Sequence, residues 1–150
     1  MEIYPDFREF LESFAARDVR YLVVGGYALG FHGHPRYTGD LDVWIEPTPE
    51  NSARVIAALT DFGFSSLELA EDTFSHPDVI VQIGREPLRI DLITSPSGVV
   101  FETCYPQRKV VDVDGISVDV IGMEGFKANK AASGRPQDIA DLDHVKRNES

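Results

Sequence analysis

Cysteine is almost absent: Cys104 is the single one in 150 residues, so an internal disulfide is excluded. No apolar run approaches the roughly 18 residues that a membrane-spanning helix needs, and no charged-then-apolar leader opens the chain. These absences predict a cytoplasmic protein without membrane association. Basic residues are scarce too, 14 Lys and Arg against 25 Asp and Glu, for a formal charge of −11. The deficit is uneven: residues 1–80 hold 5 basic against 14 acidic side chains, and residues 81–150 hold 9 against 11. Sequence-independent affinity for nucleic acid comes from neutralising phosphates with Lys and Arg, so a polynucleotide would need a local basic stripe or a partner to hold it here. Repeats, low-complexity tracts and linkers are missing. A hydrophobic content of 43% suffices for one domain, and we expect residues 1–150 to form it.

What is there reads as alternating helices and strands. Phe7, Phe10, Leu11, Phe14 and Ala15 fall at helical spacing behind Pro5, which predicts an amphipathic opening helix. Tyr21-Leu22-Val23-Val24 reads as a buried strand that runs through Gly25-Gly26 into a helical stretch from Tyr27 to Phe31. Asp40 to Ile45 alternates as a strand with one packed face. Thr48-Pro49 caps a helix containing Val55, Ile56, Leu59 and Phe62, which Gly63 ends. A short helix is expected around Leu67 to Phe74, and strands over Val79 to Ile83 and Leu88 to Ile93. Ser97 to Cys104 reads as another short helix. Lys109 to Val113 and Ile116 to Val120 flank Asp114-Gly115, a strong hairpin signal. Helices over Met123 to Ala132 and Pro136 to Lys146 flank Gly134.

Three Asp-x-Asp triplets occur, and the elements separate them. Asp112 and Asp114 belong to a turn, and Asp141 and Asp143 lie two apart on a helix, where they do not share a face. Asp40 and Asp42 lie two apart on a strand, which aims both carboxylates to one side. Such a pair is self-repelling without a cation and becomes a ligand set for Mg²⁺ with one. Asp91 alternates in the same way beside Arg89, so it joins the pair if the two strands are neighbours. Gly25-Gly26, on a strand-to-helix turn, lets backbone amides approach phosphates. Lys127 and Lys130 read in isolation as a solvated helix face, yet a triphosphate site needs cations and the chain has few. His32-Gly33-His34 lacks the partners of a zinc site, so both histidines are read as loop or helix-end residues.

In that order, Gly25-Gly26, Asp40-Leu41-Asp42 and Asp91 resemble the nucleotidyltransferase superfamily typified by DNA polymerase β. Gly25-Gly26-Tyr27-Ala28, His32-Gly33, Arg36-Tyr37-Thr38 and Lys130-Ala131-Ala132-Ser133-Gly134-Arg135-Pro136-Gln137-Asp138, continued by Asp141-Leu142, are similar to small bacterial members near the AbiEii and MenT toxins. The resemblance spans roughly residues 20 to 145. It implies an α/β (α+β) nucleotidyltransferase fold, a mixed sheet flanked by helices with a C-terminal helical pair. It implies Mg²⁺ or Mn²⁺ held by Asp40, Asp42 and Asp91, which are also the catalytic residues, and NTP contacts from Gly25, Gly26, Lys130, Arg36, Thr38 and Arg135, with Asp138 orienting Lys130 or Arg135. The implied reaction moves an NMP from an NTP to an acceptor hydroxyl on tRNA, protein or a small molecule. Two departures stand out: Gly26 replaces the serine of many members, and the long C-terminal helical domain of the larger toxins is missing. A homodimer or an antitoxin-type partner would supply what that domain supplies.

Two other classes share some of these features. Metal-dependent glycosyltransferases use Asp-x-Asp, but their folds need more chain and leave the glycine pair unexplained. A non-catalytic nucleotide- or partner-binding module of a toxin-antitoxin-like system is the third class, and Trp44, Tyr27 and Phe31 fit its partner surface as readily as the core.

Overall fold

A computed structural model describes residues 3–36, 38–64, 69–85 and 88–149. Helix α1 (Pro5–Ala16) starts on Pro5 and buries Phe7, Phe10, Leu11 and Phe14, while Ala15, expected in the core, is exposed. Strand β1 (Tyr21–Val24) is buried along its whole length and turns directly into α2 (Gly25–Phe31). Strand β2 (Asp40–Ile45) leads through Thr48, whose hydroxyl accepts from the Asn51 amide at 3.2 Å, into α3 (Pro49–Phe62). Gly63 ends α3 in the left-handed region at φ 106°.

Strands β3 (Ile80–Arg85) and β4 (Leu88–Ile93) come next, then the single-turn helix α4 (Phe101–Cys104) and a 3-10 turn at Tyr105–Gln107. Hairpin strands β5 (Lys109–Val113) and β6 (Ile116–Val120) have the expected bounds, and helices α5 (Met123–Ser133) and α6 (Pro136–Arg147) close the chain. Two expectations need correction. The helix foreseen over Leu67 to Phe74 falls partly on residues 65–68, outside the described residues, and the chain near its end forms a 3-10 turn at Thr73–Ser75. The helix foreseen from Ser97 begins only at Phe101, because Gly98 sits at φ 76° and Val100 is extended.

The six strands form one mixed sheet in the order β3-β4-β2-β1-β6-β5. The pairs β1–β2, β3–β4 and β5–β6 are antiparallel, and β2–β4 and β1–β6 are parallel. Alternation divides β2 and β4 cleanly: Leu41, Val43, Ile45, Ile90 and Leu92 are buried on one face, and Asp40, Asp42, Arg89 and Asp91 project from the other. Helices α1 and α3 pack together, with Phe10 edge-on to Phe62 and Phe14 edge-on to Tyr21. The opposite face carries Trp44 against Phe101 of α4, and α5 leans on α2. Between these supports, the carboxylate end of β2 and β4 lies beside the first turn of α2.

Asn51 locks this frame. Wholly buried at the start of α3, its side chain accepts from the Arg20 amide at 2.7 Å and donates to the Arg20 and Glu46 carbonyls at 2.9 and 3.0 Å. It thereby ties the entry of β1 to the exit of β2. Among the described residues no helix is long and apolar enough to cross a membrane.

Candidate active site

The parallel register of β2 and β4 sets Asp40 beside Arg89 and Asp42 beside Asp91. Asp42 is the more enclosed of the adjacent acids. Burial, then the neighbouring charges of Asp91 and Asp40, push its carboxyl up to about 7. Asp91 is raised as well, by burial and then by Asp40, against the pull of Arg89. Asp91 Oδ1 is buried with no hydrogen-bond partner among the described residues. Two adjacent acids, one with an orphaned oxygen, form an oxygen-rich site short of positive charge, which is the chemistry that a hard divalent cation fits.

Asp40 is placed differently. Its carboxylate is engaged by Arg89, whose Nε reaches Oδ1 at 3.3 Å and whose Nη2 reaches Oδ2 at 3.1 Å. Among the described residues no three His, Cys, Asp or Glu side chains are gathered as a metal-holding group. The sheet thus brings Asp40, Asp42 and Asp91 onto one face, with Asp42 and Asp91 facing each other and Asp40 turned to Arg89.

The glycine pair is fixed by close approach on both sides. Gly25 has φ 71°, and a Cβ there would overlap Asp42 Oδ2. A Cβ at Gly26 would sit 3.2 Å from Arg36 Nη2 and from Thr38. A serine at position 26 would therefore crowd Arg36 and Thr38, which occupy the space beside the turn.

The C-terminal helices supply a charged cluster. Lys130 is only 4% exposed, which corrects its reading as a solvated residue: its Nζ lies 3.0 Å from Asp138 Oδ1 and 3.2 Å from Asp141 Oδ2. Arg36 grips Asp141 through two bonds of 3.0 Å, and Gln137 donates to the same acid at 2.8 Å. Asp138 accepts from Arg135 Nε at 2.8 Å, from Ser133 at 2.7 Å and from the Arg135 backbone at 3.3 Å, the reach-back bond of a capping box. Burial would raise both acids, but their donors outweigh it and hold Asp138 and Asp141 below the usual carboxylate range. Among the described residues, three cations against two carboxylates leave the cluster one positive charge in surplus. Arg135, with its side chain 75% exposed, carries that charge at the surface.

Two cavities share Gly25, Asp42, Lys130 and Arg135. The smaller, about 330 Å³, adds Gly26, Arg36, Thr38, Asp40 and Asp138, so every residue expected to contact the nucleotide lines it. The larger, about 430 Å³, adds Asp91, Gln82, Ser95, Ser97, Asn129 and the exposed Ile80. Several of these residues were not anticipated. Gln82 pairs with Asp91 across β3–β4, a register that local patterning does not reveal. Asp141 reads from the sequence as half of a helical pair with Asp143, although its place three residues after Asp138 on one helix is a signal that could join it to the cluster.

The aromatic residues open to either a partner surface or the core take the core. Trp44, Tyr27 and Phe31 are buried, and Trp44 Nε1 donates to the Thr94 carbonyl at 3.2 Å, so they form no partner surface. His32 Nε2 bonds the Ile121 carbonyl at 2.7 Å, and His34 packs edge-on to His144, both in structural roles.

A crystal structure from Thermotoga maritima, described as a "putative nucleotidyltransferase", superposes with a TM-score of 0.60 over 98% of this chain and 96% of its own. At 13% identity this likeness establishes the fold alone. No curated protein matches the sequence. The sequence profile of one family does match, over residues 4–150, nearly the whole chain. This chain therefore belongs to the family described as "Nucleotidyl transferase of unknown function (DUF2204)".

Proposed function

We propose that this chain transfers a nucleoside monophosphate from an NTP to an acceptor hydroxyl, with Asp42 and Asp91 as the centre of the site. The observation that carries the reading is the facing Asp42–Asp91 pair with Gly25 pressed against Asp42. Mg²⁺ or Mn²⁺ would be held by Asp42 and Asp91, with Asp40 as the third ligand. Bound there, the cation would neutralise phosphate oxygens and acidify a hydroxyl.

The chain's own groups divide the remaining work. The glycine turn admits the triphosphate to backbone amides in the smaller cavity, where Arg36, Thr38, Lys130 and Arg135 line the wall. The surplus positive charge of the C-terminal cluster offsets the pyrophosphate that leaves. An acceptor approaching from the larger cavity meets Asp91, which takes the hydroxyl proton as base. The acceptor oxygen bonds to the α-phosphorus as its bond to the β-phosphate oxygen breaks, in line.

The short glycine and C-terminal motifs support a place near the AbiEii and MenT toxin-type enzymes, acting in the cytoplasm on tRNA, protein or a small molecule, with an antitoxin-type partner or a second copy. Pyrophosphate release tests the reaction. With each NTP and Mg²⁺ or Mn²⁺, release should require one acceptor fraction among tRNA, protein and small-molecule extracts, and Asp42→Asn should release none. Equal release by the variant would refute the role of Asp42.

A further inference from the structure

Asp40, Asp42, Arg89 and Asp91 form a two-by-two array on one sheet face, three negative charges and one positive when all four are ionised. The array sums to −2, the complement of one divalent cation, whereas the three acids alone would carry −3. Arg89 meets Asp40 fork to fork, engaging both carboxylate oxygens, a geometry that a lysine cannot reproduce. Both side chains remain reachable by water, 33% and 41% exposed, so the pair is one that a competing cation can open. We propose that Arg89 is a latch: it holds Asp40 away from Asp42 and Asp91 until a cation arrives, which makes Asp40 a conditional third ligand.

Two electrostatic effects combine in the latch. Without a cation, Arg89 relieves the repulsion among three acids on one face, so the empty site can fold. A divalent cation between Asp42 and Asp91 attracts Asp40 and repels the guanidinium, which turns the same pair from a support into a competitor. The protein then exchanges one counter-charge for another instead of presenting an open three-carboxylate site to any cation. This inference rests on the reading of Asp42 and Asp91 as metal ligands, and its test keeps the two apart.

The probe is Mn²⁺ alone, with loss of the free-ion electron paramagnetic resonance signal as the readout and no nucleotide present. Arg89→Gln should tighten Mn²⁺ binding by about 3- to 10-fold at moderate salt, the range open to a part-exposed pair plus the lost charge. The decisive comparison repeats the substitution in an Asp40→Asn background, where the part of the gain that comes from freeing Asp40 should vanish and only the smaller part from the lost charge should remain. A gain of equal size in both backgrounds would mean that Arg89 acts only as a distant charge, and no gain in either would mean no competition; each overturns the latch. Arg89→Lys covers a folding failure of the glutamine variant, because it keeps the charge and loses the fork. It should tighten binding by about 2-fold with Asp40 present and leave it unchanged with Asp40→Asn. Asp42→Asn reports separately: if it loses Mn²⁺ while Arg89→Gln changes nothing, the latch fails and the metal site stands. If Asp42→Asn binds Mn²⁺ as the unaltered chain does, the metal site fails and the latch with it.

Discussion

Asp42→Asn should make the cation-free protein more stable at pH 8, although it removes a central residue of the site. The amide has the shape of the carboxylate, so the contact with Gly25 survives and the charge alone is lost. Burial and the neighbouring acids push Asp42 from the ordinary 3.8 up to about 7, which means that the folded state holds this proton more tightly than the unfolded chain. As pH rises from about 4 to 7, the unfolded chain therefore releases the proton first, and stability falls until both states are ionised. The full difference corresponds to about 4 kcal/mol, from roughly 1.4 kcal/mol per pKa unit. Relaxation of the free pair and sharing of the proton with Asp91 reduce what a variant recovers, to about 1 to 3 kcal/mol. For a chain of this length that is a rise in Tm of about 3 to 10 °C. Thermal unfolding followed by circular dichroism in EDTA measures it. The two proteins should melt together near pH 4 and separate progressively to pH 8, and Mg²⁺ should raise the Tm of the unaltered chain only. Equal stability at pH 8, or a less stable variant, would refute the account of repelling acids.

The charge cluster and the glycine turn yield three further expectations. Lys130→Met should destabilise by about 2 to 4 kcal/mol in urea unfolding, because Asp138 and Asp141 lose a buried cation while keeping their arginines. Asp138 and Asp141 are held below the usual range, so their contribution is complete above the unfolded value near 4 and is lost as pH falls through their lower folded values. Asp141→Asn should accordingly be less stable than the unaltered chain at neutral pH, with the gap closing below pH 4 in the same unfolding assay. Gly25→Ala combines a left-handed φ with overlap on Asp42, so it should cost more than about 1 kcal/mol and weaken Mn²⁺ binding, measured by calorimetry.

Much of the site was legible because strand alternation is a local signal. Asp40 and Asp42 had to share a face once their segment was a strand, and Arg89 and Asp91 likewise; only their adjacency required the sheet order. The glycine turn was legible from composition, whereas the reason for glycine at 26, the nearness of Arg36 and Thr38, was not. Lys130 was legible in part. Its spacing from Lys127 suggests a solvated helix face and the resemblance pairs it with Asp138, whereas its burial and its second acid, Asp141, are visible only after the two helices pack. The ion pair from Arg36 to Asp141 joins residues 105 positions apart, and no window along the chain could pair them. The misplaced start of α4 has a backbone cause, since Gly98 and Val100 adopt conformations that a helix cannot continue.

Paired labelling tests nucleotidyl transfer most directly. The purified protein is incubated with Mg²⁺ or Mn²⁺, total tRNA and a lysate of its own host, with each NTP labelled once at the α-phosphate and once at the γ-phosphate, and with Asp42→Asn alongside. The account predicts α-label on one acceptor class, γ-label found only in pyrophosphate, and neither outcome with the variant. Transfer of γ-label to an acceptor, or α-label transferred equally by folded Asp42→Asn, would contradict it.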